Sequence, residues 1–170
     1  MRLLIHDLEE EQFKALLPEM SEEVTIISNN KSIKNCVGCF GCWIKTPGEC
    51  VIKDDYKNMG KLIAECDELI LISKCYYGGF SPFVKNILDR SIGYILPYFL
   101  IRNGEMHHRS RYKKQFKLSA IVYSNDLTKK ERDTMESLIE ANGINFNVQE
   151  KKVVFCKSID EITEQWRALQ

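Results

Sequence analysis

Four cysteines crowd into fifteen residues, Cys36, Cys39, Cys42 and Cys50, and there residue type and spacing first bear on chemistry. The spacing is C-x2-C-x2-C-x7-C. Four thiolates this close can ligate a 4Fe–4S cluster, and the first three spacings are like those of ferredoxins. The same set can make a tetrahedral zinc site or remain as free thiols. A second concentration is Ser73-Lys74-Cys75-Tyr76-Tyr77-Gly78-Gly79-Phe80-Ser81-Pro82, which runs into Lys85, Asn86, Leu88, Asp89 and Arg90. It combines adjacent glycines with aromatic rings, in a segment that contains Cys75. Cys66 falls on a buried helical stripe and reads as structural, and Cys156, at a strand end, has no evident role.

Elements must hold these two loops, and their order can be read along the chain. Leu3 to Ile5 is a short apolar run followed by an acidic, helix-favouring stretch from Leu8 to Leu17, and Val24 to Ser28 is a second β-branched run. Asn29 to Lys53 lacks periodicity and contains Gly38, Gly41, Pro47 and Gly48, so it reads as a long functional loop. Asp54 and Asp55 can cap a helix with Met59, Leu62, Ile63 and Cys66 at helical spacing. Glu68 to Ser73 reads as a strand covered on both faces. Ser81 and Pro82 then suit the N-cap and first position of a helix whose stripe runs from Phe83 to Ile95.

A second long loop is expected from Pro97 to Gln115. Then come a strand from Phe116 to Tyr123, a helix from Thr128 to Asn142 stopped by Gly143, a strand from Val148 to Phe155 and a helix from Ser158 to Leu169. Alternating strands and helices give a parallel sheet with helices on both faces. With five strands this suits a flavodoxin-like, doubly wound three-layer α/β/α domain over residues 1–170, in strand order 2-1-3-4-5. Ligands in such sheets bind outside the carboxyl ends of the strands, where the order reverses.

Composition narrows the function classes. The chain has 170 residues, is 44% hydrophobic, and carries 24 basic against 24 acidic residues. That balance gives no broad attraction for nucleic acid or an anionic membrane. There is no secretory signal pattern and no apolar run long enough to cross a bilayer, so the expected location is cytoplasmic, where thiols stay reduced. The absence of a Gly-x-Ser-x-Gly elbow argues against a hydrolase triad, and the adjacent His107 and His108 read as solvated rather than as metal ligands.

The two loops together resemble those of the flavodoxin-like NAD(P)H-dependent FMN reductases, including the iron–sulfur flavoproteins. In that family a Cys-rich loop after the second strand leads to an Asp-Asp helix start. A Tyr-Gly-x-x-Ser-Pro-like loop after the third strand opens into a Lys-Asn-x-Leu-Asp-Arg helix. The likeness runs from Cys36 to Arg90. It implies that Cys75, Tyr76, Tyr77, Gly78, Gly79, Phe80 and Ser81 hold the flavin ring. The glycines would let backbone approach the ring edge, N–H groups would bond its N5 and pyrimidine carbonyls, and the aromatics would stack. The plainer reading is a glycine-rich turn with its rings packed on the core. It also implies Cys36, Cys39, Cys42 and Cys50 as cluster ligands, although the wider family keeps a similar loop without a cluster.

The function so implied is electron transfer from NADH or NADPH through FMN to a small acceptor such as a quinone, a second flavin or a disulfide, in a homodimer paired through the apolar Ile92 to Ile101. The stretch His107, His108, Arg109, Arg111, Lys113 and Lys114 reads either as a solvated loop or as a contact for the nicotinamide cofactor's phosphates. One alternative is an iron–sulfur flavoprotein acting as an electron carrier. A third reading is a non-enzymatic thiol or zinc regulatory domain with a vestigial flavin site.

The first loop departs from the family. A loop rich in Gly, Ser, Arg and Asn usually holds the FMN phosphate there, but this chain reads His6-Asp7-Leu8-Glu9-Glu10-Glu11. Each carboxylate close to a phosphate costs roughly 1–4 kcal/mol in water-like to surface-like dielectric. Either the phosphate is held by Lys31, Ser32, Lys34 or the basic loop, or the flavin is bound weakly as a shuttled substrate, or the site is vestigial.

Overall fold

The computed structural model describes residues 1–18, 23–102 and 104–169. The strands are β1 (Arg2–His6), β2 (Val24–Ser28), β3 (Glu68–Lys74), β4 (Ile95–Arg102), β5 (Glu105–Ser110), β6 (Lys117–Tyr123) and β7 (Glu150–Cys156). The helices are α1 (Glu10–Leu16), α2 (Gly41–Ile44), α3 (Met59–Glu65), α4 (Pro82–Arg90), α5 (Lys129–Phe146) and α6 (Ile162–Arg167). Five strands form one parallel sheet in the order β2-β1-β3-β6-β7, which is the expected 2-1-3-4-5 arrangement once β4 and β5 are set aside.

Alternation along each strand divides the core between two faces. Leu3, Ile5, Leu69, Leu71, Leu118, Ala120 and Val122 pack with residues of α3, α4 and α5. Leu4, Ile70, Ile72 and Ile121 pack with Leu8, Leu17, Ile162 and Trp166. Leu69 to Ile72 in the central strand are buried on both faces, so each contributes about 1.5–3 kcal/mol of apolar transfer.

Ser81 and Pro82 begin α4 as expected, with Ser81 Oγ accepting from Val84 N at 3.4 Å. Thr128 likewise caps α5 in a reciprocal box with Glu131. That helix does not stop at Gly143 but runs on to Phe146, ending at Asn147 in the left-handed region (φ 54°). Gly143 serves packing instead, because a Cβ there would lie 2.9 Å from the Lys151 side chain.

The expected loop from Pro97 to Gln115 is largely an antiparallel hairpin, β4 with β5, in a register that pairs Leu100 with His107. Pro97 and the run of His and Arg conceal its alternation. The stripe of α4 also ends sooner than expected, since Ile92–Tyr94 is a 3-10 turn and Ile95 opens β4. Asn58 rather than Asp54 or Asp55 precedes α3. Among the described residues no helix is long and apolar enough to cross a membrane.

Candidate functional site at the carboxyl ends of the strands

The strand order reverses between β2-β1 and β1-β3, and the residue that follows β1 at this switch point is Asp7. Its carboxylate accepts from Lys74 N at 2.9 Å and from the Tyr123 hydroxyl at 3.1 Å, tying together the ends of β1, β3 and β6. Burial pushes the Asp7 carboxyl above its ordinary value, while the bonds from Lys74, Ser81 and Tyr123 pull the other way. His6, one residue earlier, is buried and stacks on Phe13 of α1 at 4.3 Å between centroids. Among the described residues neither of its ring nitrogens has a hydrogen-bond partner, and burial pushes the imidazole down to about 4. Beside it, a cleft of about 440 Å³ is lined by Glu9, Glu10, Lys14, Ser28, Asn29 and Asn30 among others.

The loop after β3 is built differently. Tyr76 and Gly79 exchange backbone hydrogen bonds at 2.9 and 2.8 Å, closing a tight turn. Tyr77 and Gly78 at its tip take φ of 54° and 81°. A non-glycine residue held in the left-handed region costs on the order of 1 kcal/mol or more and persists only when the surroundings dictate it. Tyr77 is 92% exposed, and Lys74 Nζ lies 5.7 Å from the centroid of the Tyr76 ring. Gly78 backs onto α5, where a Cβ would come within 2.7 Å of Thr134 Cβ. A Cβ on Gly79 would meet only the Tyr76 carbonyl, at 3.4 Å.

Of the residues expected to hold the flavin ring, Tyr76, Tyr77 and Gly79 form this accessible turn, and Gly78 supports it from behind. Cys75 and Phe80 are buried in the core. Ser81 caps α4, with its N–H donating to Ser73 Oγ at 2.9 Å. The turn offers exposed aromatic side chains and a glycine backbone beside the switch point.

A phosphate does not fit the start of α1. The N–H of Glu9 there is already taken by Gln12 Oε1 at 3.1 Å, and Glu10 and Glu11 occupy the first turn. Within the basic stretch, Arg109 donates to Phe99 O, Arg111 to Gly93 O and Lys114 to Glu65 O. It braces the hairpin and its approaches, which corrects the expectation of an irregular loop. Lys31, Ser32 and Lys34 lie on exposed chain beyond the carboxyl end of β2.

The cysteine loop folds around a cavity of about 60 Å³ whose wall includes Cys36, Cys39, Cys42 and Cys50. Gly38 (φ 61°) and Phe40 (φ 55°) bend the chain into α2, and Gly41 admits Val51, whose Cγ1 would lie 2.5 Å from a Cβ. Burial first, and then the neighbouring Cys50, Cys39 and Cys36, push the Cys42 thiol up.

Partners far along the chain fix this loop. Cys36 N donates to Asn86 Oδ1 at 3.2 Å, and Trp43 Nε1 to Ile95 O at 2.9 Å. The buried Arg90 donates Nε–H to Cys50 Sγ at 3.1 Å and clamps both oxygens of Asp54 at 2.8 Å. Those bonds hold the Asp54 carboxyl down at about 2. Among the described residues no three His, Cys, Asp or Glu side chains group as ligands of a single ion. The four cysteines line one small cavity, and thiolate is the donor type that iron–sulfur clusters take.

Sequence reasoning missed the bonds from Asn86 and Arg90 to this loop. Their presence in the helix after the aromatic turn was visible, but their reach was not. Cys66 is buried at the end of α3, where its thiol donates to Ile63 O at 3.2 Å, and burial pushes it up to about 12.

Comparison with known proteins agrees with this layout. The chain is 34% identical over 96 residues to an iron–sulfur flavoprotein of Archaeoglobus fulgidus, covering 56% of this chain and 37% of that protein. It is 37% identical over 81 residues to an iron–sulfur flavoprotein of Methanocaldococcus jannaschii, covering 48% and 41%. The chain thus spans well under half the length of these relatives. Among solved structures, an FMN-dependent NADH-azoreductase of Bacillus anthracis in complex with FMN matches with TM-score 0.60 at 10% identity, over 99% of this chain and 98% of that one. An NAD(P)H:quinone oxidoreductase of Methanothermobacter marburgensis matches with TM-score 0.58 at 15% identity, over 100% and 99%. These structural likenesses establish the flavodoxin-like fold. The family model described as NADPH-dependent FMN reductase matches residues 10–110, and the chain belongs to that family.

Proposed function

We propose that the protein is an FMN-dependent oxidoreductase that moves electrons from NADH or NADPH to a small acceptor such as a quinone, a flavin or a disulfide. The observation that carries this reading is the turn at Tyr76–Gly79, held in a strained conformation at the switch point. When bound there, FMN supplies the hydride and single-electron chemistry. The chain's part is to orient the ring: Gly79 presents backbone, Tyr76 and Tyr77 present ring faces, and Ser81 fixes the loop to α4. The phosphate is held by Lys31, Ser32 and Lys34, not by α1. We read residues 1–170 as one domain acting in the cytoplasm. A homodimer is supported by the outward-facing Tyr98, Phe99 and Ile101 of β4, on the segment the sequence marks as apolar.

A second reading, supported by the cavity shared by Cys36, Cys39, Cys42 and Cys50, is an iron–sulfur flavoprotein that passes electrons between a bound cluster and the flavin. Protein purified without oxygen is tested by its absorption spectrum, by flavin and iron assays, and by NAD(P)H consumption with added FMN and a quinone. Flavin bands with NAD(P)H oxidation support the reductase. Broad brown absorbance with about four irons per chain supports the carrier. Colourless protein that takes up no FMN on titration sinks both and leaves a thiol or zinc regulatory domain.

A further inference from the structure

We propose that Arg90 is the positioning residue of the cysteine cavity and that its bond to Cys50 raises the reduction potential of an iron–sulfur cluster held there. The inference rests on the carrier reading above and adds a residue outside the ligand set. Arg90 is 2% exposed, so its guanidinium is held in one orientation by its partners. Its two Nη groups are spent on Asp54 and on Lys34 O, at 2.7–2.8 Å. That leaves Nε–H, which points at Cys50 Sγ at 3.1 Å.

The arrangement separates charge from direction. Asp54 offsets the guanidinium charge, so the sulfur is addressed chiefly by one oriented N–H dipole. Hydrogen bonds to cluster sulfurs are among the determinants of cluster potential. Reduction adds one electron to the cluster, and part of that charge falls on the cysteine sulfurs. A fixed N–H donor therefore stabilises the reduced form more than the oxidised one. Of the four cysteines, Cys50 is the one that Arg90 engages through its sulfur, and it is also the farthest in sequence from the other three.

Arg90→Lys keeps a cation for Asp54 but has no Nε–H to offer Cys50. Wild type and variant are reconstituted without oxygen using iron and sulfide, assayed for iron, checked by circular dichroism, and titrated with dithionite. The expected result is equal iron content, an unchanged fold and a lower midpoint potential in the variant. Equal potentials overturn the role of Arg90 while leaving the cluster reading intact. Wild-type protein that binds no iron overturns both. If the variant folds poorly or loses iron, reduced wild-type protein labelled with ¹⁵N-arginine decides by electron–nuclear double resonance. A ¹⁵N coupling to the cluster supports the bond, and its absence overturns it.

Discussion

The loops after β1 and β3 stand side by side at one end of the sheet and are built on opposite principles. The β1 loop is closed upon itself. Asp7 takes up donors from β3 and β6, Glu9 and Gln12 satisfy the start of α1, and the acidic first turn repels anions. The β3 loop is open, with a strained turn, aromatic faces and a glycine backbone turned outward. On the proposed reading, the β3 loop keeps features that suit a flat ring, whereas the β1 loop lacks those that suit a phosphate. On that reading, ring recognition and phosphate recognition fall to different loops and are separable.

The largest effect is expected at the open loop. Gly78→Val places a side chain against Thr134 and forces a β-branched residue to φ 81°. It should cost roughly 3 kcal/mol in urea unfolding and abolish flavin binding by fluorescence titration. A variant that binds flavin normally would break the assignment of the ring to this turn.

The next effect belongs to the closed loop. Burial lowers the His6 imidazole from 6.5 to about 4, so as pH falls the unfolded chain takes up its proton first. Stability is therefore lost from pH 6.5 downward, and the loss is complete near 4. At 1.36 kcal/mol per unit, that is about 3 kcal/mol. His6→Phe, unfolded in urea at pH 7 and at pH 4.5, should show a shallower decline than wild type. Parallel declines would remove His6 from the account.

Much of the fold behind this comparison was legible in the sequence, and the reason is physical. The three central strands, β1, β3 and β6, contain short apolar runs buried by both layers, as at Leu69–Ile72, so composition alone marks them. The start of α4 was legible because Ser81 and Pro82 act locally. The hairpin of β4 and β5 was not, because its pairing joins Leu100 to His107 across charged residues with no apolar alternation. The site divided the same way. Spacing showed the cysteines and the glycine pair, whereas the bond from Arg90 to Cys50 spans 40 positions and leaves no local trace.

A smaller effect sharpens the contrast between the loops directly. Replacing Glu9, Glu10 and Glu11 together by Gln should tighten FMN by about tenfold, on the order of 1–2 kcal/mol, while riboflavin affinity stays unchanged. Equal changes for both flavins would show that the acidic loop does not sense the phosphate. The smallest effect is Thr128→Ala, which removes the cap of α5. About 1 kcal/mol of stability should be lost in urea unfolding, with flavin affinity retained, since the turn rests on Thr134 well inside that helix.

The anchoring of the cysteine loop by Asn86, Arg90 and Ile95 has a consequence for the order in which the protein matures. The four thiols are close in sequence, yet the bonds that arrange them come from residues 40 to 52 positions later. Until that later chain has folded, the cysteines form a flexible segment whose ends and bends are unset, and closing such a span costs entropy that only the finished contacts return. Tertiary structure therefore precedes the cavity. Any group the cavity held would be received by an assembled domain, with its timing set by the helix after the aromatic turn and the strand that follows.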